Sequence, residues 1–305
     1  MDYSLSAVSL RRLQVFLTVC ETLHMARAAE RLGVAQPALS QQIAALEEAL
    51  GAKLFRRYGR GIELTAAGHA CRSEAQKLLV LHQSAIDQVR RTARGDTGRI
   101  ALGYVGSSMF TDEFPAQLKA MRESAPEVEF ILREGGIAMQ LAGLEAGELD
   151  AALVRAPVVV HPPLRYRIHS LQDLVVILPG DHQLAELPEI PIEKLASESM
   201  IGFHDTDDVG IGSVVSQLAM SAGCKLEVKW RVTEIGSILG LVAAGLGYSI
   251  VPREVALYTN HRIIMRPLAE PGASTELWLV WNEQKETPAL SRFLNIAVPP
   301  TNPDE

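Results

Sequence analysis

The sequence predicts an α/β protein with an N-terminal winged helix-turn-helix, a long linker helix, and two Rossmann-like α/β lobes. Three observations predict it. Residues 25–50, MARAAERLGVAQPALSQQIAALEEAL, carry two helix-period apolar stripes separated by Gly33 and Val34. Residues 71–89 place Cys71, Ala75, Leu78, His82, Ala85 and Val89 at alternating spacings of four and three. From Arg99 onward, short apolar runs of strand type alternate with helix-type segments, the pattern of a parallel sheet with crossovers. The expected domains are 1–65, the linker helix 66–95, and a body over 96–305. Within the body, one lobe takes about 99–162 and 269–300, and the other about 163–268.

Length agrees, since 305 residues at ~150 per domain give two or three domains. Residues 1–95 hold 13 Lys/Arg against 8 Asp/Glu, a net of +5, and the remainder holds 16 against 28, a net of −12. A basic head on an acidic body fits nucleic-acid contact through one end. The longest apolar run, Ile238 to Val251, is 14 residues with three glycines, too short to span a bilayer. No basic-then-apolar signal opens the chain. Cys20, Cys71 and Cys224 form no CxxC pair and read as reduced thiols of a cytoplasmic protein. A redox-sensing Cys224 is the alternative.

Taken in order, Ser9 can cap a first helix from Leu10, with Leu10, Leu13, Phe16, Leu17, Cys20 and Leu23 as its buried stripe. Ala28, Ala29 and Leu32 form the stripe of the second helix. Gly33 allows the turn, and Pro37 suits the first turn of the third helix. There, Leu39, Ile43, Leu46 and Leu50 make one apolar face. Gln36, Ser40 and Gln41 are left off that face near its N-terminal end. Gln pairs with the adenine N6/N7 edge and Ser suits several bases, as a helix in the major groove requires. A plain helical hairpin with solvated Gln and Ser remains the alternative.

Gly51 is a C-cap candidate. KLFRRYGRGIELT then reads as a short hairpin, a wing, bearing Arg56, Arg57 and Arg60. Such arginines can pair with phosphates or enter the minor groove; a solvated basic turn is the bland reading. Thr65 can cap the linker helix, which runs to about Arg94. Its a/d seam suits a helix–helix dimer or a bundle core.

In the body, residues 99–105, 128–134, 149–155, 173–179, 199–203, 226–232, 247–252 and 276–282 read as strands. Helices are expected over 114–124, 139–146, 212–221, 235–244 and 288–297. Two lobes joined by two crossings imply a cleft, with ligands at the carboxyl ends of the strands and helix N-termini favouring anions. Ser107, Ser108, Gly135 to Ala138, Phe203, His204, Asp205, Thr233 and Glu234 fall there. Asp205, Asp207 and Asp208 would repel an anion if they faced the cleft.

There is no GxSxG, HExxH or complete GxxxxGK[ST] motif. Gly245-Leu246-Gly247 places Ile250 where a dinucleotide loop needs glycine. The eight histidines lack metal-ligand spacing. The residues therefore support no catalysis, no metal and no cofactor.

The stretch ARAAERLGVAQPALSQQIAALEEALGAKLF followed by RRYGRGIELTAAG resembles the winged helix-turn-helix of LysR-type transcriptional regulators. LEAGELDAALVR and VTEIGSILGLVAAGLGYSIVP resemble that family's effector domain. The resemblance implies a periplasmic-binding-protein-like body, a homodimer assembled into a homotetramer, promoter DNA as partner, and a small-molecule effector between the lobes. It places Gln36, Pro37, Ser40 and Gln41 on the recognition helix and Arg57 and Arg60 on the wing, and Arg27 joins them as a DNA contact. It implies Ser107 or Ser108 as the hydroxyl that holds an effector carboxylate; with Ile137, and with Phe203, His204 and Thr233 from the strand ends, these are the effector-binding candidates. GYVGSS is closest to members governing aromatic-compound degradation. Two departures stand out: His24-Met25-Ala26 replaces a Ser-Phe-Thr-like trio, and Ile137 replaces a threonine that some members use, which argues against a muconate-like ligand. The competing readings are a small-molecule-binding protein or enzyme with a non-specific basic head, and an architectural DNA-bending protein.

Overall fold

A computed structural model describes residues 8–59, 61–204, 208–259 and 261–297. The chain divides into two compact units, residues 1–90 and 91–305.

The first unit opens with α1 (Leu10–Thr22), capped by Ser9, whose side chain accepts from Arg12 N. Leu13, Phe16, Val19 and Cys20 are its buried face. Leu23 departs from the expected stripe: it is the C-cap, with φ 48°, and is 42% exposed. A left-handed residue that ends a helix turns its side chain off the helix face. Helix α2 (Met25–Leu32) ends at Gly33 with φ 65°, where only glycine is unstrained, and α3 (Gln36–Leu50) begins three residues later. Ala28, Ala29, Leu39, Ile43 and Leu46 close the core of the three helices. Leu50 departs from the expected face, being 42% exposed. Glu47 takes the last inward position of α3 instead.

Strands β1 (Phe55–Tyr58) and β2 (Gly61–Leu64) form the expected antiparallel hairpin, with Arg56 opposite Glu63. Helix α4 (Ala66–Ala93) follows, and Thr65 Oγ1 accepts from Gly68 N at 2.9 Å. The expected seam splits along this helix. Cys71 and Ala75 pack into the first unit's core, whereas Leu78, His82, Ala85 and Val89 are exposed.

The second unit begins with β3 (Thr97–Tyr104), α5 (Glu113–Ser124), β4 (Glu127–Glu134), α6 (Ile137–Ala146) and β5 (Ala151–Arg155). β3 pairs in parallel with both β4 and β5, so these are crossover units. The long strand β6 (Leu164–Pro179) comes next. Then follow β7 (Met200–Phe203), α7 (Gly210–Ser221), β8 (Val228–Val232), α8 (Ile235–Ala243), β9 (Ser249–Pro252), α9 (Arg253–Ala256) and β10 (Ile263–Pro267). β11 (Ser274–Asn282) and α10 (Pro288–Ala297) return to the first lobe.

The main sheet runs β10-β6-β11-β5-β3-β4, with β9 also on β6, and β7 and β8 form a separate parallel pair. β6 therefore crosses between lobes. Its residues 164–173 pair with β11 and its residues 174–179 with β9 and β10. The first lobe thus extends to Asp173, beyond the expected boundary at 163. The segment RYRIHSLQ opens with polar/apolar alternation that is inverted, since Tyr166 and Ile168 are exposed while Arg167 and His169 turn inward. β10 also escaped the sequence reading. Apolar cores fill each lobe, led by Ile100, Leu102, Phe114, Leu153 and Phe293 in the first, and Val176, Ile177, Ile201 and Ile238 in the second. Each such side chain contributes about 1.5–3 kcal/mol of burial. No described helix is long and apolar enough to cross a membrane.

Candidate functional sites

In the first unit, burial sorts α3 by face. Leu39 and Leu46 are fully buried and Ile43 nearly so, while Gln36, Pro37 and Gln41 are exposed and Ser40 is half-buried. These four share the N-terminal half of the helix, which ends its first turn without a side-chain cap. Arg27 is exposed on α2. On the wing, Arg56 is tied to Glu63 at 2.5 Å. Arg57 is exposed and makes no ion pair among the described residues. Arg60 lies outside the described residues.

Sequence reasoning missed the residue that joins α3 to the wing. Glu47 Oε1 accepts from Leu54 N at 2.8 Å and Phe55 N at 3.3 Å, and Oε2 pairs with Lys53 at 2.7 Å. Burial alone would raise its pKa. The hydrogen bond from Lys53, the two backbone donors and the Lys53 charge outweigh burial and hold it below the usual glutamate value. The position of the first wing strand is thereby referred directly to the helix carrying Ser40 and Gln41. The signal was a glutamate at the inward spacing after Leu39, Ile43 and Leu46.

In the second unit, a cavity of about 200 Å³ lies at the carboxyl ends of β3, β4, β5, β7 and β8. Of the expected residues, Ser107, Ile137, Phe203 and Thr233 line it, together with Gly135, Gly136 and Glu234. Ser108 does not: it is fully buried and donates its hydroxyl to Val105 O at 2.8 Å. His204 does not either; it is exposed, and its N–H bonds Val232 O. Asp205 and Asp207 lie outside the described residues, and Asp208 is exposed and does not line the cavity.

The cavity's main polar group is one the sequence reading passed over as a strand end. Arg155, 3% exposed, donates from Nη2 to Ser107 Oγ at 2.8 Å and from Nη1 to Gln172 Oε1. Its Nε is buried and has no acceptor among the described residues. Burial pushes its pKa down to about 10, against the opposing field of Glu254. An arginine closing the apolar run AALV at the end of a parallel strand was the available signal. Glycines let the walls close in. A Cβ at Gly106 would come within 2.3 Å of Glu134 Oε1, and one at Gly210 (φ +55°) within 2.8 Å of Ile137 Cδ1. Helices α6, α7 and α8 start at the cavity wall, and no side-chain hydrogen bond caps any of them. Their first-turn N–H groups and Arg155 together favour a negative charge.

A winged helix-turn-helix with exposed polar residues on its third helix, followed by a two-lobed body with a cavity at its strand ends, defines a ligand-responsive DNA-binding regulator. The family model "LysR substrate binding domain" matches residues 93–299, and "Bacterial regulatory helix-turn-helix protein, lysR family" matches residues 10–69. The HTH-type transcriptional regulator YnfL of Escherichia coli (strain K12) is 33% identical, covering 94% of this chain and 96% of its own length. XapR of the same organism is also 33% identical, over 93% and 96%. The crystal structure of CbnR, a LysR family transcriptional regulator, matches with a TM-score of 0.84 at 29% identity, covering 95% of this chain and all of that one. Full-length CbnR complexed with its target DNA matches with a TM-score of 0.81. This chain belongs to the LysR family of transcriptional regulators. It is a DNA-binding regulator with an effector-binding domain, and not an enzyme.

Proposed function

We propose that Gln36, Pro37, Ser40 and Gln41 read base edges in the major groove, while Arg27, Arg57 and Arg60 contact phosphate or the minor groove. The observation that carries this is the facing of α3: its readers are turned outward by the burial of Leu39, Ile43 and Leu46. The exposed Leu78 and Val89 on α4 support pairing of two copies through the linker helix, and a homotetramer as the working assembly. The effector domain is residues 96–305, the linker 66–95 and the DNA-binding domain 1–65. The chain acts in the cytoplasm.

The effector binds in the cavity, with its anionic group on Arg155 and Ser107 and its body against Ile137, Phe203 and Thr233. The buried Nε of Arg155 supports an anion. An aromatic-pathway carboxylate is one compound of that kind. Because the cavity takes walls from both lobes, an effector that binds the closed arrangement better shifts the population toward it. Selection of bound sequences from a random DNA pool with the intact chain tests the DNA reading. A dyad-symmetric motif supports it; retention that is only salt-sensitive, with no motif, contradicts it.

A further inference from the structure

We propose that the effector is a small organic zwitterion, its carboxylate seated on Arg155 and Ser107 and its amine seated between Glu134 and Glu234. The inference rests on the reading of the cavity as the effector site and adds the chemistry of the ligand's other end.

The floor of the cavity is cationic, and its mouth, with Glu134 and Glu234 against Arg231, carries a net negative charge. At the floor, Arg155 is a buried guanidinium whose Nε faces no acceptor among the described residues, and its hydrogen-bond partners Ser107 and Gln172 are neutral. Glu254 lies close enough to favour its charge, but the two form no ion pair among the described residues. A cation desolvated in this way is stabilised by an incoming anion.

At the mouth stand two carboxylates, one from each lobe. Glu134 ends β4 and Glu234 precedes α8, and both line the cavity. Glu134 is hydrogen-bonded to the Tyr104 side chain, which its charge and burial push to a raised pKa. Neither glutamate has an ion-pair partner among the described residues. The two segments converge on Gly106. A Cβ there would lie 2.3 Å from Glu134 Oε1 and 3.7 Å from Cγ2 of Ile235, the residue after Glu234. Gly106 directly precedes Ser107, so the acidic mouth sits beside the hydroxyl that Arg155 holds. Arg231, also at the mouth, directs Nη1 to the Phe203 carbonyl at 3.4 Å.

A simple carboxylate entering this cavity brings no positive charge to the mouth, where two glutamates face one arginine, and a dicarboxylate adds a further negative charge there. A ligand with an ammonium group answers both ends at once. A cavity of about 200 Å³ suits a small organic metabolite. The amine also supplies the differential affinity that a switch needs, because it bridges a carboxylate of one lobe to a carboxylate of the other only when the lobes are closed.

Calorimetry on the full chain with paired probes tests this: γ-aminobutyrate against butyrate, L-leucine against isocaproate, and para-aminomethylbenzoate against para-toluate. The expected result is that at least one zwitterion binds about tenfold or more tightly than its partner lacking the amine. Glu134→Gln combined with Glu234→Gln abolishes that preference by weakening the zwitterion, while the plain carboxylate, relieved of two negative charges at the mouth, binds no more weakly than before. Ser107→Ala weakens both members of the pair. Equal binding within every pair, or a preference that survives the double substitution, overturns the zwitterion while leaving an Arg155-dependent carboxylate site standing. Binding by no probe, or binding indifferent to Ser107→Ala, overturns both.

Discussion

Arg155 Nη2 donates to Ser107 Oγ at 2.8 Å, so the hydroxyl proton of Ser107 is left to point at a ligand. One residue is the end of β5 and the other follows β3, and the parallel pairing of these strands brings them together. Removing the hydroxyl takes an acceptor from a buried guanidinium. Ser107→Ala is expected to lower unfolding stability by about 1–3 kcal/mol, measured by urea titration, and to erase any effector-dependent rise in Tm. A variant of full stability with an intact ligand response would remove Ser107 from the site.

Glu47 links α3 to the wing through Leu54 N and Phe55 N. Glu47→Gln is expected to cost ~1.5–3 kcal/mol at neutral pH, the range for hydrogen bonds to a charged group. The folded-state pKa is lowered, so the contribution is complete above the unfolded value near ~4.3 and is lost as pH falls through the folded value. The gap between wild type and variant should therefore close below about pH 4. A gap independent of pH would mean the carboxylate's charge is irrelevant.

Gly68, in the first turn of α4, packs against the chain entering the wing. A Cβ there would lie 2.1 Å from Leu54 O and 2.9 Å from Leu64 Cδ2. Gly68→Ala forces backbone apart and is expected to destabilise the first unit by at least ~1–3 kcal/mol, weakening DNA binding. Thermal unfolding indistinguishable from wild type would contradict this close approach.

His169 Nε2 lies 2.6 Å from Gln117 Oε1 beneath α5. Burial, opposed by Glu113 and reinforced by Arg167 and Arg155, drives its pKa down to about 4. Between the unfolded value near ~6.5 and that folded value, only the unfolded chain takes up the proton. Stability is therefore expected to fall by on the order of 2 kcal/mol as pH drops through this window. His169→Gln should flatten that slope in denaturant titrations at a series of pH values. An unchanged slope would assign the acid sensitivity to other groups.

Legibility followed the strength of the local signal. Gly33, the apolar set Leu39, Ile43 and Leu46, the Arg-rich hairpin and the Thr65 cap are local patterns, and each appears where the sequence placed it. The strand-end rule found Ser107, Ile137, Phe203 and Thr233 at one cavity. It also took in Ser108 and His204, because it fixes a position along the chain but not the direction of a side chain. Arg155 and Glu47 were missed for the opposite reason. Charged residues are expected at the surface, and tertiary contacts, Ser107 and Gln172 with Arg155 and Lys53, Leu54 and Phe55 with Glu47, make burial tolerable. The first half of β6 was hidden because Arg167 and His169 face inward over Trp281 and toward Gln117 while Tyr166 and Ile168 face out, so its buried face carries no apolar stripe.

The most direct test of the account measures the affinity of the intact chain for a selected operator duplex and for a scrambled duplex of equal length, across salt concentrations. Wild type, Ser40→Ala and Arg57→Ala are compared. The account predicts that Ser40→Ala loses ~1–3 kcal/mol of discrimination between the duplexes. Arg57→Ala should weaken binding to both and lower the salt slope by about one. Full discrimination by Ser40→Ala together with an unchanged slope for Arg57→Ala would contradict the placing of the readers on α3 and of the phosphate contacts on the wing.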